Sequence, residues 1–281
     1  MSASQSQMGN KTGIALKCFV YPVLFIVAGL FCANDASSSF PVAPPQEYGR
    51  VVIKNYSRAA GLAPVVFDHW LHRARFTCRL CHVDIGFAMQ SGGTGIKAGT
   101  NEKGFYCGSC HNGSYTFEDR KVFASCSTKG SDAGNPRCER CHSLDRKVKK
   151  EYDFATFTKN LPKGGGGNGI DWEGAEERGI IKPVDFIPGI SVKRKPLKPQ
   201  GEFTIKSRGK WIKADIIFSH KKHVKWNGCE VCHPDIFPST KQGSLNFTMF
   251  DILDGRYCGV CHLSVAFPIN ECGRCHTKPV Q

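Results

Sequence analysis

Residues 66–82 read Val-Phe-Asp-His-Trp-Leu-His-Arg-Ala-Arg-Phe-Thr-Cys-Arg-Leu-Cys-His. This stretch joins a Phe-x-His-x-x-His motif to a Cys-x-x-Cys-His motif. The second motif recurs along the chain, and its copies contain twelve of the fifteen cysteines among the 281 residues. Its six copies are Cys78-Cys81-His82, Cys107-Cys110-His111, Cys138-Cys141-His142, Cys229-Cys232-His233, Cys258-Cys261-His262 and Cys272-Cys275-His276.

The Cys-x-x-Cys-His motif is the attachment signature of c-type haem. The two thiols add to the vinyl groups on one edge of the porphyrin, and the histidine that follows becomes an axial ligand of the iron. Zinc sites pair two half-sites without requiring a histidine directly after the second cysteine. A redox dithiol accompanies a βαβ pattern, which this sequence does not show, and a disulfide framework would not place a histidine after every pair. We therefore predict six covalently bound c-type haems.

A second pattern divides the chain into two similar halves. The segments Phe67–His72 and Phe218–His223 both read Phe-x-His-x-x-His. In each half the first histidine lies nine positions before a Cys-x-x-Cys-His motif, and two more copies follow. Upstream, the stretches Arg50–Lys54 and Glu202–Lys206 are each predicted to form one strand of a small hairpin. The internal repeat predicts two units of three haems in tandem.

Four histidines remain after the six of the haem motifs are counted. They are His69, His72, His220 and His223. Histidines at i and i+3 on a helix share one face, so each pair can reach two different haems. Ordinary polar histidines near a helix start are the alternative, but their recurrence at one offset favours distal iron ligands.

Six haems need twelve axial donors, and ten histidines leave two positions to fill. Methionine is the next usual haem ligand. Beyond the N-terminal segment the chain has only Met89 and Met249, in Phe-Ala-Met and Phe-Thr-Met. Core packing is the ordinary role of such a methionine. The count of one per half predicts that each ligates the last haem of its unit, which would raise the potential of that haem. If they do not ligate, two haems stay open or take another ligand.

The N-terminus predicts export. Lys11 and Lys17 precede an apolar run over residues 18–33, and small polar residues follow. This is typical of a secretory signal peptide, which we place at residues 1–36, and the run is short for a membrane span. An uncleaved anchor is the alternative. Because c-type haem is added outside the cytoplasm, the expected location is the periplasm, the outer surface or the extracellular space of a bacterium.

The formal net charge of +14 would ordinarily suggest nucleic acid or an anionic surface as partner. Haem changes this sum, because six haems bring twelve propionates, and each ferric iron leaves about one positive charge on its porphyrin. The chain without residues 1–36 then carries about +7 when oxidised and about +1 when reduced. We therefore interpret much of the lysine and arginine as counter-charge to propionates and expect no nucleic-acid partner.

Residues 146–201 differ in composition from the two halves. They include a glycine-rich stretch at 163–169 and a proline- and lysine-rich stretch at 182–200. This predicts a semi-extended linker with one short helix over Asp171–Gly179, capped by Asp171. The alternatives are a solvated tether and a cover over a haem edge between the units. Cys126, in the longer loop of the first half, has no counterpart and is either a surface thiol or a contact to haem or to another chain.

A Phe-x-His-x-x-His motif followed by three Cys-x-x-Cys-His motifs resembles the trihaem cytochrome c7 domain of the cytochrome c3 group. Two such domains in tandem resemble the multidomain c7-type cytochromes of dissimilatory metal-reducing bacteria. The resemblance covers residues 48–143 and 202–278, and we place the two domains at residues 48–145 and 202–281. It implies stacked haems in a fold that is mostly coil, with short α-helices and small N-terminal β-hairpins, and with haem as the core.

The resemblance also implies a ligand scheme. His69 and His220 would cap the first haem of each unit, and His72 and His223 the second. The third haem would take its ligand from the stretch before the second motif. Cytochrome c7 domains use histidine there, so methionine in this stretch is a departure.

Three functions are compatible with the sequence. The first is an electron carrier, not an enzyme, whose partners are redox proteins or extracellular acceptors in an anaerobic, metal-respiring chain. The second is a multihaem oxidoreductase, which needs an open haem, and a histidine at the end of all six motifs argues against it. The third is a subunit of an extracellular cytochrome filament, which self-assembly through the tandem units would permit.

Overall fold

The computed structural model describes residues 43–125, 138–142, 153–195, 198, 201–207 and 214–279. The predicted signal peptide and Cys126 lie outside these ranges. The chain divides into two compact units, Met1–Phe40 and Pro41–Gln281. All of the described residues belong to the second unit.

Its helices and strands are short. In chain order they are β1 (Arg50–Ile53), β2 (Val65–Asp68), α1 (His69–Arg73), α2 (Ala98–Glu102), β3 (Thr116–Phe117), β4 (Arg120–Lys121), α3 (Phe154–Thr158), α4 (Trp172–Glu177), β5 (Glu202–Ile205), β6 (Ala214–Ser219), α5 (His220–Asn227), α6 (Met249–Leu253), α7 (Gly259–His262), α8 (Cys272–Cys275) and β7 (His276–Pro279). A π-helical turn spans Leu80–Asp84, and 3-10 turns span Pro45–Glu47, Arg58–Ala60, Tyr106–Ser109 and Cys138–Arg140. The prediction of a coil-rich fold with short helices and small sheets is confirmed.

Each half begins with an antiparallel hairpin that leads into a helix. β1 pairs with β2, and Arg50 lies opposite Asp68, to which its Nε donates at 2.7 Å. β5 pairs with β6, and β7 adds a third strand on the far side of β6. Both predicted N-terminal hairpins are therefore confirmed. Because α1 and α5 start directly after β2 and β6, each strand fixes where the two histidines of its helix lie.

Few apolar side chains are buried. In the described part of the chain, ten hydrophobic residues are buried. Five of them form one cluster: Ala74, Leu161, Ile170, Ala175 and Ile181. Four of these five belong to the segment between the halves, so a core made of protein side chains is largely confined to that segment.

That segment, predicted as a linker, folds over residues 153–195. Asp171 caps α4 as predicted, since its Oδ1 accepts from the Gly174 amide at 2.9 Å. Phe154, Phe157 and Trp172 pack against the apolar cluster. Composition alone was compatible with a solvated tether. In the structure these apolar side chains are partly buried against α1 and against the short helices of the segment itself. The domain boundaries themselves stay a prediction.

The segment also bonds to the second half. The Arg73 guanidinium lies over the rings of Trp172 and Trp226, 5.4 and 5.1 Å from their centres. The Trp226 indole donates to Glu176 Oε2 at 2.5 Å. Arg194 pairs with Asp84 of the first half at 2.7 Å and with Glu230 of the second at 2.8 Å. These contacts join the two halves through the segment between them.

Candidate haem-binding site

One connected cavity of 1880 Å³ runs between the elements, and residues from all six Cys-x-x-Cys-His motifs line it. A pocket for an ordinary small ligand has about 300–1,000 Å³. The cavity is lined by apolar and aromatic side chains together with cysteines and histidines. It therefore has the size and chemistry of a site for several large, flat, mainly apolar groups.

Each motif histidine is held by its own backbone partner. In all six, Nδ1 lies within hydrogen-bond distance of a backbone carbonyl oxygen. The six bonds are His82 to Phe87 (2.9 Å), His111 to Phe123 (3.2 Å), His142 to Ala63 (2.7 Å), His233 to Phe237 (2.6 Å), His262 to Phe267 (2.9 Å) and His276 to Ala214 (2.8 Å). When Nδ1 donates, Nε2 keeps its lone pair for a metal and the ring orientation is fixed.

The histidines of the Phe-x-His-x-x-His motifs face those of the haem motifs. Three pairs have ring centres 6.3 to 6.4 Å apart: His69 with His82, His72 with His111, and His223 with His262. A metal ion bound by one nitrogen of each ring at the usual distance of about 2.0–2.1 Å separates the ring centres by about 6.3 Å. These separations fit one iron between each pair.

The fourth pair is His220 with His233. Burial lowers the pKa of His220, and the neighbouring His233 imidazole lowers it further. Three predicted distal histidines thus each face a different motif histidine, and His220 lies near enough to His233 to interact with it electrostatically. Ligation itself stays a prediction for all four.

Burial keeps these imidazoles neutral, which metal binding requires. Desolvation lowers the pKa of His72 to about 3, and the nearby His111 adds to the effect. Desolvation also lowers the pKa of His69, His223 and His262. At neutral pH each presents a lone pair, not a positive charge.

The buried motif cysteines favour the neutral thiol form. Desolvation raises the pKa of the Cys81 and Cys261 thiols to about 12. The described motif cysteines form no disulfides with one another. Within the same described ranges, no group of three or more His, Cys, Asp or Glu side chains could hold a metal ion. Buried thiols at the Cys-x-x-Cys-His spacing fit haem anchored by thioethers.

Comparison with known proteins agrees with this geometry. The family model described as cytochrome c7 and related cytochrome c matches residues 65–143 and 216–277, which together make up half of the chain. The chain belongs to the cytochrome c7 family. As a multihaem cytochrome c it binds c-type haem. A search of curated proteins finds no match.

Solved structures with similarity to this cytochrome c7 chain include multihaem proteins. A c7-type three-haem cytochrome domain is 37% identical over 29% of this chain and 99% of that domain, with a TM-score of 0.25. The C-terminal hexahaem fragment of GSU1996 is 24% identical over 81% of this chain and 96% of the fragment, with a TM-score of 0.24. The dodecahaem cytochrome c GSU1996 is 21% identical over 81% of this chain and 73% of that protein, with a TM-score of 0.25.

Two phenylalanines of the cytochrome position the distal histidines. Neither was predicted from the sequence to be functional. The Phe67 ring lies 4.9 Å from His69 and 4.5 Å from His72 between ring centres. Phe218 lies 4.9 Å from His220 and 4.4 Å from His223 in the same arrangement. The sequence signal was their recurrence two positions before the first histidine.

The third motif of each half returns to the strand that leads into the helix of the distal histidines. His142 forms a bridge with Val65, the first residue of β2, and its Nδ1 bonds to the Ala63 carbonyl. His276 pairs with Ile216 of β6, and its Nδ1 bonds to the Ala214 carbonyl. The two halves of the cytochrome thus close in the same way despite the different spacing before their last motifs.

Met89 and Met249 do not occupy equivalent positions, contrary to the symmetry expected from the sequence. The Phe-x-His-x-x-His motifs, the first haem motifs and the second haem motifs of the two halves are each 151 residues apart. At that offset Met249 corresponds to Ala98, and Met89 corresponds to Thr240. Both methionines line the cavity, and ligation by either stays a prediction.

In the described part of the cytochrome, no helix is long and apolar enough to cross a membrane.

Proposed function

We propose that this cytochrome c7 chain is an exported electron carrier that holds six c-type haems, one at each Cys-x-x-Cys-His motif. The observation that carries the proposal is the set of facing histidine pairs along one continuous cavity. Iron held between two imidazoles takes up and releases an electron without binding a substrate. His69, His72, His220 and His223 would therefore close four of the six sites to exogenous ligands.

The protein's contribution is to hold these ligands still. Each motif imidazole is fixed by a backbone carbonyl, and His69 and His223 are fixed in the same way by Gly49 (2.6 Å) and Ser219 (2.9 Å). Fixed ligand orientation is a lever by which a protein tunes a metal. A site whose ligands are held in this way needs little structural rearrangement when the charge of the iron changes.

Basic side chains around the cavity support the expected counter-charge role. Arginines and lysines line it from both halves: Arg50, Arg73, Arg75, Lys97, Arg120, Lys121, Arg140, Lys222 and Arg274. Burial lowers the pKa of Arg73 from its ordinary value, so an anionic neighbour there would be strongly favoured. Haem propionates would supply that anion, which leaves less positive charge for a nucleic-acid partner.

The N-terminal segment and the haem chemistry support export to the periplasm or beyond. There the carrier would pass electrons between redox proteins, or to an extracellular acceptor, within an anaerobic metal-respiring chain. Its partners are expected to meet haem edges at the surface.

Pyridine haemochrome analysis of the exported protein tests the proposal. We expect six haems per chain, and the double variant Cys138→Ser, Cys141→Ser should have one fewer. Redox titration should then show complete and reversible reduction without added substrate. Two or fewer haems per chain, or a bound zinc ion in place of iron, would contradict the proposal.

A further inference from the structure

Among the residues that the structure describes, the histidine of the third motif in each half has no second histidine nearby. His69, His72, His220 and His223 face the first and second motifs of the two halves. The chain has ten histidines in all. His142 and His276 must therefore find their second axial donor, if they have one, among other residue types.

In the second half the structure offers Met249 as that donor. Met249 is the first residue of α6, after the Thr248 cap, and it lines the haem cavity. Its thioether is a known axial ligand type for haem iron. Met249 is 39% exposed.

In the first half Ala98 takes the place of Met249. α2 and α6 both have five residues, and in each the side chain of the third helical residue accepts from the amide of the residue before the helix: Thr100 from Lys97 and Asp251 from Thr248. Each helix also packs against the glycine of the next motif, because a Cβ on Gly108 or Gly259 would lie 1.8 or 1.9 Å from a helix carbonyl oxygen. Ala98 lines the cavity as Met249 does. Its methyl group has no lone pair to donate.

Met89 is not a substitute for the missing donor. It follows the first motif, and it lines a side pocket together with His82, Val83 and Glu230. His82 already faces His69, 6.4 Å away between ring centres. Met89 also lines the main cavity, but the motif histidine next to it already faces a second histidine.

We propose that the haem anchored by Cys138, Cys141 and His142 keeps one axial position open and binds a neutral diatomic ligand, carbon monoxide or nitric oxide, when the iron is ferrous. The open position is the one that Met249 fills in the other half. The diatomic ligand donates its lone pair to the iron, and no bond breaks. This inference rests on the proposed function, because it requires a haem at the third motif.

Titration of the reduced holoprotein with carbon monoxide tests the inference. We expect binding of about one carbon monoxide per chain in the wild type. Ala98→Met should abolish this binding and add a methionine-to-iron band to the oxidised spectrum. Ala98→Leu, of similar bulk without sulfur, should not add that band. Met249→Ala should raise the stoichiometry to about two per chain.

Several results would overturn the inference. A wild type that binds no carbon monoxide would show that another side chain closes the site. If Met89→Leu then gained one site, Met89 would be that side chain. Unchanged binding in Ala98→Met would mean that Ala98 does not face the open position.

The haem count separates this inference from the proposed function. Protein with six haems and no carbon monoxide binding would overturn the open site alone. Mass spectrometry that found no haem on the peptide with Cys138 and Cys141 would overturn both.

Discussion

At the residue scale, one aromatic ring per half contacts two predicted metal ligands. Phe67 meets the His69 ring edge-on, at 87°, and the His72 ring at 37°. Phe218 repeats this with 88° and 28°. Because this phenylalanine is the next-to-last residue of its strand and a helix starts two residues later, a single side chain contacts both imidazoles.

A buried carboxylate gives the second half a pH-dependent stability. Asp215 is 1% exposed and accepts from Lys206 Nζ at 2.8 Å and from the Ser207 amide at 3.0 Å. The Lys206 ammonium, followed by the Ser207 amide, lowers the pKa of Asp215. Its contribution to stability is therefore present above the unfolded pKa of about 3.9 and is lost as pH falls through the folded pKa.

We expect Asp215→Asn to reduce the melting temperature at pH 6 and to flatten its fall between pH 5 and pH 3, because the substituted side chain does not titrate. Thermal melts of holoprotein across that range are the measurement. Asp235→Asn, at an exposed position, is the control and should follow the wild-type curve. If the melting temperatures of the wild type and of Asp215→Asn fell in parallel with pH, Asp215 would not be the cause of the pH dependence.

The histidines could be predicted from the sequence because each has a fixed place in a short motif, and the count of ten left no surplus. The roles of the two methionines could not be predicted from the sequence. Phe87-Ala88-Met89 and Phe247-Thr248-Met249 are similar motifs, but they lie at different distances from the first Cys-x-x-Cys-His motif of their half. In the structure Phe87 and Phe237 share a role, since each carbonyl accepts from the histidine of the first motif. Phe247 instead stacks on Tyr257, 4.7 Å away between ring centres.

At the element scale, the second motif of each half packs closely against the helix before it, α2 in the first half and α6 in the second. Gly108 and Gly259 occupy the first variable position of Cys-x-x-Cys-His, and the carbonyl oxygens of Asn101 and Ile252 lie where a Cβ would be. Only a residue without a side chain permits this approach. The contact fixes α2 and α6 over the haem cavity and so determines where Ala98 and Met249 point.

Gly259→Ala should therefore displace α6. We expect a loss of about 1–3 kcal/mol in the free energy of unfolding, the usual cost of overpacking. The matched control is Gly273→Ala, at the same position of the third motif, where a Cβ meets nothing within 4 Å. Urea unfolding of both holoproteins is the measurement, and equal midpoints would contradict the close approach at Gly259.

The segment between the halves shows what composition cannot reveal. Its glycines, prolines and lysines are typical of a linker, and the Asp171 cap was visible as a local signal. Its tertiary role was not visible, because the Trp172 ring is paired with Arg73 from one half and, through that guanidinium, with Trp226 from the other. Such a contact depends on residues that are far apart in the sequence, so no local sequence pattern predicts it.

At the scale of the whole molecule, haem takes the place of a protein core. In the described ranges the fully buried large side chains are Leu80, Thr158 and Asp215, and two of these three are polar. The 1880 Å³ cavity passes through both halves. Burial of apolar area at about 25 cal/mol per Å² is the main stabilising contribution in folding, and in this protein much of that area faces the cavity.

Protein without haem should consequently be largely unfolded, in the way that small metal-dependent domains are unfolded without metal. The measurement is circular dichroism with urea titration of chain produced without haem attachment, compared with holoprotein. We expect no cooperative transition in the haem-free chain and a single steep one in the holoprotein. The double variant Cys138→Ser, Cys141→Ser, which lacks one anchor, should fall between them. A cooperative transition in colourless, haem-free chain would mean that the side chains alone suffice as a core and that haem is not what holds the fold together.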